Sequence, residues 1–321
     1  MEELIKKGTK ITILGAGNVG ATIAYTLAVA GTCSEIILVD INKAKAEGEA
    51  MDIRQGLAFG QTVNIRAGEY EDAKDSDIVI VTLGIARRPG QTRIDLAQTN
   101  VNIIKDVIPK VAKVAPDAVY VAVSNPVDII TYAIIKNSGI PHRQIIGSGT
   151  MLDSSRLRSM LAEHVGLNIK NIHAYVFGEH GDTSMIPWSL AAIAGMKMDD
   201  YCMHVCSNEN RCGKGALRDI EENVRTAGAE VIKRKGATFY AIALSVRKIC
   251  DVILRNSDSV LTVSGLVNNR YGITDVCLSL PFIVGGNGIK GELSPKLLPS
   301  EEELLHKSAD SLKEIISTLD I

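Results

Sequence analysis

Two rhythms of apolar residues alternate along the chain. Short, nearly unbroken runs occur at Lys10-Ile-Thr-Ile-Leu14, Glu35-Ile-Ile-Leu-Val39, Asp77-Ile-Val-Ile-Val-Thr82, Ala118-Val-Tyr-Val-Ala-Val123 and Ile145-Ile-Gly-Ser-Gly149. They are too short for helices, rich in β-branched residues, and read as strands. The third, Asp77 to Thr82, scarcely alternates with polar positions, as expected of a parallel strand covered on both faces. Between these runs lie longer segments of helical character at 21–30, 44–56 and about 95–115. Strand following helix in this way predicts a doubly wound parallel α/β sheet over residues 1–147.

From residue 148 to 321 the pattern changes. Helices are predicted at 151–164, about 218–235 and 236–256, and strand-like segments flank His180. Strands are predicted at 260–264 and 275–280, with the turn between them at Asn268-Asn269. Ser300-Glu-Glu-Glu303 reads as the capping box of a final helix with apolar positions Leu305, Leu312 and Ile316. This half is a second, α+β unit.

Composition narrows the function. The 321 residues are 46% apolar, enough for a large core, and carry 35 basic against 37 acidic side chains. A net charge of -2 offers no field for nucleic acid or anionic lipid. No apolar run reaches the roughly 18 residues of a membrane span, and Met1 to Lys7 lacks an apolar signal core, so a cytoplasmic location is expected. The six cysteines are too sparse for a disulfide scaffold. Cys202, His204, Cys206 and Cys212 lie near one another but match no paired C-x-x-C spacing, so no metal is expected.

Chemistry concentrates at five places. Gly15-Ala-Gly17-Asn18-Val19-Gly20 joins the first strand to the first helix, with glycines where a tight turn, a close phosphate and helix packing require them. Asp40 ends the second strand about twenty residues on, where an acid pairs with ribose hydroxyls and repels a 2′-phosphate, favouring NAD over NADP. A glycine- and arginine-rich loop, Gly84 to Arg93, opens at the carboxyl end of the third strand. Asp153 and Arg156 share a helix face, a spacing that alone suggests a surface ion pair. His180 sits in Gly178-Glu-His-Gly-Asp-Thr183, where neighbouring acids can keep an imidazole charged; alone, such a stretch reads as a surface turn.

Taken in order, these motifs, with Ser124-Asn125-Pro126-Val-Asp128 and Gly149-Thr-Met-Leu-Asp153-Ser-Ser-Arg156, make the chain resemble the lactate/malate dehydrogenases over essentially its whole length. The resemblance implies a Rossmann half, a catalytic half, a homotetramer or dimer, and reversible hydride transfer between NAD and a 2-oxo or 2-hydroxy acid. It makes His180 the proton donor, Asp153 its partner, Arg93 the group polarising the carbonyl, Arg156 the carboxylate fork, and Asn125 the group orienting the substrate. Its cofactor positions are Gly15, Gly17, Asn18, Val19, Gly20, Asp40, Gly84, Asn100, Val123 and Asn125.

For the substrate, the residue six before the loop's catalytic arginine is glutamine in lactate-type enzymes and arginine in malate-type ones; here it is Arg87. Ser148 to Asp153, Trp188-Ser189 and Thr238 are lactate-type, so the implied reaction is pyruvate with lactate, and malate is the alternative. A non-catalytic NAD sensor would not need His180, Asp153, Arg93 and Arg156 together. The bisphosphate effector site of bacterial relatives would involve Lys170 and the position of Leu190; Lys170 keeps a charge without a fork, and Leu190 cannot bind phosphate.

Overall fold

β1 (Lys10–Leu14) lies between β2 (Glu35–Val39) and β4 (Ile78–Val81), parallel to both. The computed structural model describes residues 8–85, 92–205 and 214–321, with only the backbone of Arg93 and Lys214. β3 (Asn64–Ala67) extends the sheet beyond β2, and β5 (Val119–Ala122) and β6 (Ile145–Gly147) extend it beyond β4. The parallel order is therefore β3-β2-β1-β4-β5-β6. Every residue of β4 and β5 is buried, which explains their unbroken apolar sequence. Each such aliphatic side chain contributes roughly 1.5–3 kcal/mol relative to an exposed one.

The helices between these strands are α1 (Asn18–Ala30), α2 (Lys43–Gly56), α3 (Arg93–Val114) and α4 (Val127–Ser138). α1 stops at Gly31, whose φ of 60° lets its N–H close the last turn. α3 starts slightly before the predicted boundary because Thr92 caps it and Asp95 completes a capping box. The apolar periodicity did not mark α4 or the polar edge strand β3.

The second half adds α5 (Met151–Val165), a small three-stranded sheet of β7 (Ile172–His173), β8 (Ala192–Ile193) and β9 (Met196–Lys197), then α6 (Met198–His204) and α7 (Lys214–Lys235). α8 (Tyr240–Arg255) starts four residues later than predicted, after a connection that opens at Gly236 with φ 83°. β10 (Ser259–Arg270), β11 (Ile273–Gly285) and β12 (Gly288–Glu292) follow, and α9 (Pro299–Ser317) ends the described fold. β10 pairs antiparallel with β6 through Ser264 and Gly147, so one nine-stranded sheet runs across the boundary between the halves.

Two expectations are corrected. Asn268 and Asn269 lie inside β10 at a register shift, and the hairpin reverses at Tyr271-Gly272. Asparagine's tolerance of positive φ, 57° at Asn269, serves a bulge rather than the turn. α9 begins at Pro299, ahead of Ser300, because proline presets the first helical φ. The N-cap is Leu298, whose side chain cannot accept a hydrogen bond, so only half of a capping box forms: Glu301 accepts Leu298 N–H at 2.9 Å and is itself buried.

Candidate active site

The strand order reverses at β1 and β4, which makes the loops after them the place where such sheets hold ligands. Gly15 has φ 103°, and a Cβ there would meet Thr82 Oγ1 at 2.6 Å. A Cβ on Gly20 would lie 1.9 Å from the Gly15 carbonyl oxygen, whereas one on Gly17 would meet nothing within 4 Å. The turn is thus closed beneath and open above Gly17, where Asn18 and Val19 begin α1 with N–H groups that have no partner among the described residues. Asp40 accepts Ala16 N–H at 2.7 Å and Asn42 N–H at 2.8 Å, which fixes its carboxylate beside the turn. These residues fit a dinucleotide: pyrophosphate on the helix start, ribose on Asp40. Gly20→Ala is expected to raise the Kd for NADH by at least about tenfold in a fluorescence titration, since the backbone must move. Unchanged affinity would separate this turn from cofactor binding.

Deeper in, Asn100 on α3 is buried and joins two loops. Its side chain accepts Ile85 N–H at 3.0 Å and donates to the Asn125 carbonyl at 2.8 Å. Its oxygen is also the nearest atom, 3.0 Å, to a Cβ built on Gly84. Val123 is buried, and its N–H bonds Val81 across the sheet, while Asn125 itself is exposed.

His180 stands in the loop between Phe177 and Met185, which pair with each other. Three consecutive N–H groups are tied to three different elements. Gly178 donates to Ser279 of β11 at 2.9 Å, Glu179 to Ser308 Oγ of α9 at 2.7 Å, and His180 to Asp128 Oδ2 of α4 at 2.8 Å. The neighbouring acid Glu179 turns to Thr183 rather than to the ring. The imidazole's partner is Asp153 in the first turn of α5, with Nδ1 and Oδ2 2.6 Å apart.

Asp153 also accepts Arg156 Nη1 at 3.0 Å, and the three side chains are 10%, 17% and 27% exposed for Asp153, Arg156 and His180. This is not the surface pair that helical spacing alone suggests. Among the described residues, no hydrogen bond takes Arg156 Nη2 or Nε, and the guanidinium passes Gly228 of α7. Burial opposes the charge on both members of the His180–Asp153 pair. Their mutual attraction wins: His180 is raised above its ordinary value and Asp153, helped by Arg156, is lowered. Asp153 in the first turn of α5 also meets the positive helix end. The pairing therefore favours the imidazolium–carboxylate form over the neutral one.

Of the other expected residues, Thr238 is partly buried in the connection before α8, a segment braced by Lys235 Nζ lying 3.4 Å from the Phe239 ring centroid. Arg93 is the first residue of α3; its side chain, and the whole of Arg87, lie outside the described residues. Cys206 and Cys212 lie outside them as well, and among the described residues no group of His, Cys, Asp and Glu could hold a metal. Lys170 is exposed, and Leu190 packs against the main core.

The supports of this site were not read from sequence. Ser279 Oγ accepts Thr150 N–H at 3.1 Å, joining the start of α5 to β11, and Ser154 Oγ accepts Val176 N–H at 2.9 Å, joining α5 to the segment that leads to His180. Ser264, Ser279 and Ser308 are completely buried serines; Ser264 and Ser279 sit in apolar runs that hint at it, whereas Ser308 follows Lys307 and gives no such sign.

The family described as lactate/malate dehydrogenase, NAD binding domain, matches residues 9–147, and its alpha/beta C-terminal domain matches 150–320. L-lactate dehydrogenase of Acetivibrio thermocellus is 49% identical over 314 residues, covering 97% of this chain and 98% of that protein. L-lactate dehydrogenase 1 of Clostridium acetobutylicum is 47% identical, covering 98% and 100%. Among solved structures, the minor L-lactate dehydrogenase of Enterococcus mundtii in its ligand-bound form superposes with a TM-score of 0.93 at 36% identity, covering 98% of this chain and 99% of that one. With both halves matched, this chain belongs to the lactate/malate dehydrogenase family.

Proposed function

We propose that the protein is an NAD-dependent L-lactate dehydrogenase that reduces pyruvate to (S)-lactate reversibly. The observation that carries this reading is the buried His180–Asp153 pair with Arg156 beside it, in a chain whose curated relatives bear that name. Bound NADH would supply the hydride that converts the C2 carbonyl to an alcohol. As charge develops on the carbonyl oxygen, His180 gives it a proton from Nε2, the nitrogen that Asp153 leaves uncommitted, and is itself left neutral. Asp153 holds Nδ1–H and so fixes tautomer and ring orientation.

Arg156 is assigned the substrate carboxylate through its uncommitted edge, Asn125 the carbonyl or hydroxyl, Thr238 the methyl end, and Arg93 the polarised carbonyl oxygen. Residues 1–147 would carry the nucleotide, and 148–321 most of the acid-base chemistry. Tyr25 and Val29 on α1 and Tyr240 and Leu244 on α8, exposed on two helices packed together, suit a surface covered in a homotetramer. Location is assigned to the cytoplasm; among the described residues no helix is long and apolar enough to cross a membrane.

The test is NADH oxidation by the purified protein with pyruvate, oxaloacetate or no acceptor, followed by chiral analysis of the product. Pyruvate-dependent turnover yielding (S)-lactate is expected. Turnover confined to oxaloacetate would overturn the lactate assignment and leave the family intact.

A further inference from the structure

The chemistry above gives Asp128 no task, although it is 2% exposed and lies in the first turn of α4, three residues after Asn125. Its Oδ2 accepts the His180 backbone N–H at 2.8 Å, and its Oδ1 accepts Ser264 Oγ at 2.6 Å. A buried carboxylate is a costly way to pack a helix on a sheet, and an apolar side chain would do so without desolvation. The groups facing it are His180 and Glu179 from the loop, the Ser264 hydroxyl from β10 and the neutral Cys277 thiol from β11. Among the described residues no Lys or Arg pairs with it. What Asp128 touches is the histidine loop.

We propose that Asp128 is a positioning residue for the proton donor: through the His180 N–H it sets the loop against Asn125, and its charge supports the imidazolium alongside that of Asp153. The proposal rests on the reading of His180 given above. One carboxylate on the first turn of α4 thereby registers the two polar groups assigned to the substrate's carbonyl, one three residues behind it in sequence and one across a hydrogen bond. Burial pushes the Asp128 carboxyl up to about 6, against the pull of Ser264 and the His180 N–H. It is therefore ionised at neutral pH, and it adds to Asp153 in raising His180. Below about 6 that support is withdrawn as Asp128 takes up a proton.

Asp128→Asn separates charge from position, since an amide can accept the His180 N–H and donate to Ser264 Oγ while carrying no charge. In an NMR titration of the His180 ring, assigned by comparison with His180→Gln, the pKa should fall by roughly half a pH unit or more in Asp128→Asn. The alkaline limb of kcat/KM for pyruvate should move down with it, while the Kd for NADH stays within about twofold. Asp128→Ala, which loses the positioning bond as well, should lower kcat by about tenfold or more. An unmoved His180 titration in folded Asp128→Asn would reduce Asp128 to packing and overturn the proposal. Should that variant fail to fold, Ser264→Ala removes a bond that favours the charged carboxylate and should move the same titration the same way by less; no movement overturns the proposal equally. The ring titration needs no turnover, so it decides the role of Asp128 even if pyruvate is not reduced.

Discussion

His180→Gln is expected to lower kcat for pyruvate reduction by about 10²- to 10⁴-fold, roughly 3–5 kcal/mol of barrier, with NADH affinity within about twofold of the parent. Glutamine can occupy the place of the ring and bond Asp153, but it cannot release a proton. The turn at Gly15–Gly20 and Asp40 is untouched, so cofactor binding should survive. The pH dependence supplies the sign. Reduction needs the imidazolium, whose pKa the pair with Asp153 raises above the ordinary value. In the parent, kcat/KM for pyruvate should hold below that pKa and fall as pH rises through it. Lactate oxidation needs the neutral ring as base and should rise over the same window. In the variant both limbs attributed to His180 should vanish. Turnover close to the parent's, or a retained limb, would remove the histidine from proton transfer.

Much of this geometry was legible because it is written in local patterns. All the parallel strands but the polar β3 announce themselves by apolar runs, and β1 and β2 occupy the residues expected of them. The glycine turn and Asp40 are legible because their spacing reflects one compact contact, Ala16 N–H on the Asp40 carboxylate. The histidine loop is different. Its sequence suggested that adjacent acids would hold the ring, whereas Glu179 is taken by Thr183 and the ring pairs with an aspartate 27 residues away. Only the family resemblance pointed to Asp153. The three buried serines that hold Asp128, the start of α5 and the loop have no spacing to betray them, because each is brought in from β10, β11 or α9 by long-range packing. Asn268-Asn269 misled for the opposite reason: the residue type permits positive φ, but the sheet spends it on a bulge.

Substrate choice should turn on Arg87, and Arg87→Gln is expected to raise the ratio of kcat/KM for pyruvate over oxaloacetate by up to about 10⁴-fold. Two positions pull against each other. Arg87 offers a cation that suits the second carboxylate of oxaloacetate and gains nothing from the methyl of pyruvate. Thr238, partly buried before α8, is expected to take up room that a second carboxylate would need, in a segment where Lys235 contacts the Phe239 ring. A missing charge partner in a closed site carries a far larger penalty than a few surplus atoms, so the arginine should dominate the ratio. Thr238→Gly should move it the other way, toward oxaloacetate, by only about 10- to 200-fold. Both variants can be measured with saturating NADH, so the ratio reports the acid alone. A ratio that ignores Arg87→Gln would place that side chain outside the closed pocket and leave discrimination to Thr238. A ratio that moves by orders of magnitude would make one loop position the main selector between a methyl and a carboxylate.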